Sequence, residues 1–182
     1  DRFDLYRQVI VRQKDVPLSM LSGKQRIQVE AALTKKDTFN RDGVKEFLKT
    51  LRYPLYFFDF ETFMSPIPLF DGTRPYQQIP FQYSLYCLEK DGAELLHYEY
   101  LAQPKTDPRE ELIVKLLDEI PEGACVMAYN KTFEIMVLRS LSVWFPEYAE
   151  RIEALIANMV DLMVPFKNMD VYHYDMNGSY SL

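Results

Sequence analysis

The stretch Tyr56-Phe57-Phe58-Asp59-Phe60-Glu61-Thr62 decides how this chain is read. It is a run of large apolar residues interrupted by two carboxylates one residue apart. Aromatic enrichment, with Pro66 and Pro68 close behind, predicts a short buried strand over 55–61 rather than a helix. Side chains alternate along a strand, so Asp59 and Glu61 leave one face, and Phe58 and Phe60 the other. Two carboxylates on an apolar strand repel each other and lose hydration. A bound divalent cation would offset both costs, and oxygen ligands suit Mg²⁺ or Mn²⁺. A strand end where both acids reach water would serve equally well.

Outward from this strand, residues 1–52 read as a polar, helical N-terminal lead-in, packed on the next domain or docking a partner. Ser22 and Asn40 are candidate helix caps there, and Pro54 closes the region. On the other side, a loop over 62–78 carries Pro66, Pro68, Asp71-Gly72 and Pro75. Loops of that length are often functional, and Arg74, Tyr76 and Gln77 are placed to touch a substrate. In 79–88, Phe81, Tyr83, Leu85 and Cys87 alternate with Gln82, Ser84 and Tyr86, as in a strand. Asp91-Gly92 signals a hairpin into a third strand over 93–101, completing a meander.

A helix follows through Leu112, Leu116 and Ile120. Then comes a wholly apolar strand over 124–128, the pattern of one covered on both faces. Asn130 or Thr132 starts the next helix, Pro146 breaks it, and 149–159 resumes as helix. Residues 161–178 read as irregular, with Asp161 a surface or capping residue, or else a candidate for the rim of a site, and His173-Tyr174-Asp175 a solvated loop. Ser181 would cap a helix lying beyond the chain. The layout is α/β with a mixed sheet.

With 182 residues, 48% of them hydrophobic, the chain can bury a substantial core. A net charge of −6 argues against tight nucleic-acid binding by charge alone, yet permits a nuclease whose metal ligands are acidic. Cys87 and Cys125 stand apart in apolar runs, and only His97 and His173 are present, so zinc is not expected. Buried free thiols and the lack of any long apolar segment suggest a cytoplasmic protein with no membrane partner.

Two motifs and the element order resemble the DnaQ-like exonucleases of the ribonuclease H-like fold, the DEDD group. Asp59-Phe60-Glu61-Thr62 is similar to their first motif. Tyr129-Asn130-Lys131-Thr132-Phe133-Glu134 is similar to their second, with Glu134 where the wider group usually has Asp. These strings, with Arg74-Pro75-Tyr76-Gln77-Gln78-Ile79-Pro80-Phe81-Gln82-Tyr83-Ser84, look more specifically like the bacterial domain of unknown function 2779. The resemblance covers roughly residues 50–182. It implies a ribonuclease H-like domain over 53–182, with an antiparallel three-strand meander, further parallel strands and flanking helices.

The activity implied is metal-dependent 3′-5′ hydrolysis of DNA or RNA. Two Mg²⁺ or Mn²⁺ ions about 3.5–4 Å apart would clamp the attacking and leaving oxygens. Asp59, Glu61 and Glu134 would be the catalytic metal ligands, converging at one end of the sheet. Thr62, Asn130, Phe133 and Arg74 would contact the nucleic acid; Asn130 would equally serve as a helix cap. The family's final motif, a Tyr or His followed by a fourth carboxylate, would lie beyond residue 182. The chain alone is therefore expected to bind metal weakly, to be nearly inactive, and to self-associate through the face the missing helix would cover. A haloacid dehalogenase-type phosphatase fits less well, because it wants Asp-x-Asp-x-Thr. The alternative is a non-catalytic module with a nuclease-like fold that binds nucleic acid or protein.

Overall fold

The computed structural model describes residues 2–180, so the proposed capping role of Ser181 lies outside the described residues. In chain order come helix α1 (Arg2–Arg7), α2 (Gly23–Thr34), strand β1 (Thr38–Phe39) and α3 (Arg41–Leu48). Then follow β2 (Leu55–Phe63), β3 (Ile79–Leu88), β4 (Leu96–Leu101), α4 (Arg109–Glu119) and β5 (Cys125–Ala128). The last elements are α5 (Thr132–Trp144), α6 (Ala149–Ala157), β6 (Met159–Asp161), α7 (Val164–Lys167) and β7 (Val171–Tyr172).

These form two compact units: one from residues up to 49 together with those from 163 onward, the other spanning 50–162. The division therefore falls elsewhere than at 52/53, and the C-terminal twenty residues group with the N-terminal segment. Their apolar residues supply the reason. Met169 and Tyr172 are buried with Ala31 of α2, and Ile27, Tyr174 and Met176 pack around them. In the same unit β1 pairs antiparallel with β7, Thr38 opposite Tyr172. Residues 161–178 are thus not irregular: they hold a strand end, a helical turn and a second short strand.

Both expected caps form. Ser22 Oγ accepts the Gln25 N–H at 3.3 Å while Gln25 Oε1 accepts the Ser22 N–H at 2.9 Å, a reciprocal capping box that starts α2. Asn40 Oδ1 accepts the Gly43 N–H at 3.3 Å and starts α3.

The larger unit carries a five-stranded mixed sheet in the order β4-β3-β2-β5-β6. β2, β3 and β4 make the antiparallel meander, and β5 and β6 run parallel to β2. Phe58 opposes Leu85 and Phe60 opposes Tyr83, so these four share one face. That face, with Leu112, Leu116, Leu138 and Ile152 from α4, α5 and α6, forms the main core. Each such side chain fully buried contributes about 1.5–3 kcal/mol. All four residues of β5 are buried, as its uninterrupted apolar sequence predicts. Cys87 and Cys125 are buried free thiols. Among the described residues no helix is long and apolar enough to cross a membrane.

One irregularity shapes the end of β2. Glu61 pairs with Gln82, but Thr62 pairs with Pro80. Phe81 is therefore an extra residue on β3, a bulge that re-aims the side chains on either side of it.

Candidate functional site

The first strand behaves as alternation requires. Phe58 and Phe60 are buried, whereas Asp59 and Glu61 are exposed. Asp59 lies opposite Ser84 on β3, two residues past Phe57, which pairs with Met127 near the carboxyl end of β5. On the neighbouring strand Asp161 closes β6, in register with Ala128, the last residue of β5. Open α/β sheets gather functional groups at the carboxyl ends of parallel strands, and these acids gather there.

Asn130 turns the chain from β5 into α5. Its backbone is left-handed, φ 59°, a conformation that Asn tolerates better than most residues. Its N–H donates to Asp161 Oδ1 at 2.9 Å, and Lys131 Nζ reaches the Met159 carbonyl at 2.6 Å. Two hydrogen bonds thus tie the turn to β6. Asn130 is not the cap of α5, since Lys131 occupies that position.

Glu134 follows in the first turn of α5 and is only 3% exposed. Among the described residues its Oε2 has no hydrogen-bond partner. Burial pushes the carboxyl up to about 7; its own backbone N–H pulls the other way, and the negative charges of Asp59 and Asp161 add to the rise. The start of a helix favours negative charge, yet here desolvation wins. A buried carboxylate oxygen without a hydrogen-bond partner, in the field of two further negative charges, is costly.

The expected trio of Asp59, Glu61 and Glu134 is not assembled as a ready-made cage. Among the described residues, no three His, Cys, Asp or Glu side chains group closely enough to hold a metal ion. Glu134 instead shares its field with Asp59 and Asp161. The physical reason is the contrast between an exposed Glu61, at a bulge, and a Glu134 sunk beneath its helix. The donor set nevertheless fits Mg²⁺ or Mn²⁺ bound in its sparser manner. Mg²⁺ keeps several waters and is held by one or two carboxylates together with substrate phosphate. Glu134 and Asp59 can supply those two.

The expected nucleic-acid contacts separate. Thr62 Oγ1 donates to Gln78 Oε1 at 2.5 Å, which ties together the two ends of the 64–78 loop. Arg74 is exposed in that loop, its N–H bound by Gln77 Oε1 at 3.1 Å. Phe133 is half-buried and packs against the main core.

Asp161 is the residue that sequence reading undervalued. Its one signal was Met159-Val160-Asp161, an apolar pair ending in an acid, too short to stand out as a strand.

Residues 56–181 match the family model described as Domain of unknown function (DUF2779). The chain is also similar to the "Uncharacterized protein MG366 homolog" of Mycoplasma pneumoniae, 29% identical over 127 residues. That alignment covers 65% of this chain and 19% of the mycoplasma protein. No solved structure matches the chain.

Proposed function

The chain belongs to the DUF2779 family, and we propose that its carboxylates serve metal-dependent hydrolysis of phosphodiester bonds, as in a 3′-5′ exonuclease of the ribonuclease H-like type. The observation that carries this reading is Glu134: buried, without a hydrogen-bond partner at Oε2 among the described residues, and feeling the negative charges of Asp59 and Asp161. Such an arrangement costs stability and is retained where a functional site needs it. The strand order β4-β3-β2-β5-β6, with the acids on β2, β6 and the start of α5, supports the resemblance read from the sequence.

Glu134 and Asp59 would hold Mg²⁺ or Mn²⁺. The bound ion would supply positive charge for the scissile phosphate and lower the pKa of a bound water. The chain's own residues do the rest. Asp161 fixes the 129–131 turn through the Asn130 N–H and so sets where α5 begins. Glu61, exposed on β2, can accept a hydrogen bond from the attacking water. Arg74, exposed on its loop, can meet backbone phosphates. The Asn130 side chain can meet the sugar-phosphate from the turn.

The test has two parts. Mn²⁺ titration of this chain, followed by electron paramagnetic resonance, should show weak binding that Glu134→Gln and Asp59→Asn each abolish. The complete gene product, given Mn²⁺, should shorten end-labelled single-stranded DNA or RNA from the 3′ end, and the same substitutions should stop it. Mn²⁺ binding that ignores both substitutions, or no cleavage with either metal, would favour the non-catalytic binding module instead.

A further inference from the structure

Phe63 ends β2 two residues beyond Glu61. Its ring is in contact with that of Phe70, edge-on with centroids 6.4 Å apart, and with that of Phe81, tilted at 6.1 Å. The three planes are tilted by 71° and 53°, and each ring is half-buried, so every one keeps an open side. They line a cavity of about 560 Å³, a volume that suits a ligand of nucleotide size. Phe81 reaches it because it is the bulged residue of β3, and its carbonyl, accepting the Ala102 N–H at 2.9 Å, braces that wall. The rim is polar, with Gln103, Lys105 and Thr106. Lys105 is exposed, holds a left-handed backbone at φ 68°, and makes no ion pair among the described residues. In a chain of net charge −6, a free cation at the mouth of an aromatic slot selects for a flat ring that carries an anion.

We propose that this cavity binds one nucleotide unit, its base lying against the cluster of Phe63, Phe70 and Phe81 and its phosphate on Lys105. The choice of a nucleotide among flat anions rests on the nuclease reading; the cavity and its cation do not. A base needs no sequence-specific contact to lie on an aromatic side chain, because every base has a π-face. The unit arrives either as free nucleoside monophosphate or as part of a single strand, and the two sources share this chemistry.

The test is a ¹H–¹⁵N NMR titration in EDTA, using AMP, adenosine and a thymidine tetranucleotide. AMP should shift the amides of residues 63, 70, 81 and 103–106, and adenosine should bind at least about fivefold more weakly. Lys105→Glu, on an exposed side chain, should weaken AMP about tenfold and leave adenosine unchanged. Phe81→Leu should weaken both ligands. A tetranucleotide that binds much tighter than AMP identifies a strand as the occupant; AMP binding without the tetranucleotide identifies a free nucleotide. EDTA and an Asp59→Asn background remove the metal chemistry, so binding that persists while the complete product never cleaves would sink the nuclease reading and leave the cavity standing. Shifts confined to other residues, or equal binding of adenosine and AMP with no effect of Lys105→Glu, would overturn the proposal.

Discussion

Glu134 is a carboxyl group that the fold prefers to keep protonated. Its folded value of about 7 stands above the ordinary 4.5, so the folded state binds the proton more tightly than the unfolded state does. Below the unfolded value both states are protonated and the group costs nothing. As pH rises from the unfolded value through the folded one, stability falls by about 3 kcal/mol and then levels off. Metal-free protein should therefore melt at a lower temperature at pH 8 than at pH 5. Glu134→Gln should remove most of that loss, and thermal melts at the two pH values check it. Mn²⁺ should raise the pH 8 melting temperature of the parent and leave that of the Gln variant unmoved. A second buried charge makes a contrast. Arg109 stacks on Trp144 at 4.4 Å and donates to both oxygens of Asp107, yet its Nη1 has no hydrogen-bond partner among the described residues. Burial alone would raise the Asp107 carboxyl, but the hydrogen bonds from Arg109 prevail and lower it. Asp107→Ala leaves the guanidinium buried and unpaired and should cost about 2–3 kcal/mol in urea unfolding. That is less than for a fully buried pair, because the Asp107 side chain is 39% exposed.

Among the elements, α3 offers a test that helix propensity alone would get wrong. Replacing a glycine inside a helix with alanine ordinarily stabilises by up to about 1 kcal/mol. At Gly43 an added Cβ would collide with Asp170 Oδ1, the oxygen that accepts the Asn40 side-chain N–H at 2.7 Å. Gly43→Ala should therefore destabilise, by about 1–2 kcal/mol in chemical denaturation, because it breaks the bond that seats the capping residue. The elements differ in how plainly the sequence announces them, and for a physical reason. β2 and β3 are long enough for alternation to show, and β5 is short but uninterruptedly apolar. β6 and β7 have three and two residues, so no periodicity can accumulate, and only tertiary pairing makes them strands. The site divides in the same way. Asp59 and Glu61 follow from the pleat, and Glu134 from the strand-to-helix turn. The role of Asp161 depends on a parallel register between segments some thirty residues apart, which no local pattern encodes.

Across the whole molecule, the two units have cores of very different size. Residues 56–159 supply the whole of the main cluster, whereas the other unit rests on Ala31, Met169 and Tyr172 with a few partners. Local stability follows buried apolar contact. Native-state hydrogen exchange should thus find amides of β1, β7 and α2 opening together, at a free energy below that of β2, β3 and β5. A single common opening energy across both groups would refute this. It should also find the N-terminal and C-terminal segments exchanging as one cooperative set, since each supplies one strand of the same ribbon.

The bulge at Phe81 has an implication for how such a chain varies by insertion and deletion. From Leu55 to Glu61 the ladder with β3 is in step, and only beyond Glu61 do the two strands lose count by one. Deleting Phe81 would restore the count there, leaving every pairing of the acidic row untouched. The Thr62–Pro80 and Phe63–Ile79 pairs would keep their faces, while the aromatic cluster would lose one of its three rings. A single codon therefore separates the part of the sheet that carries the carboxylates from the part that shapes what lies beside them.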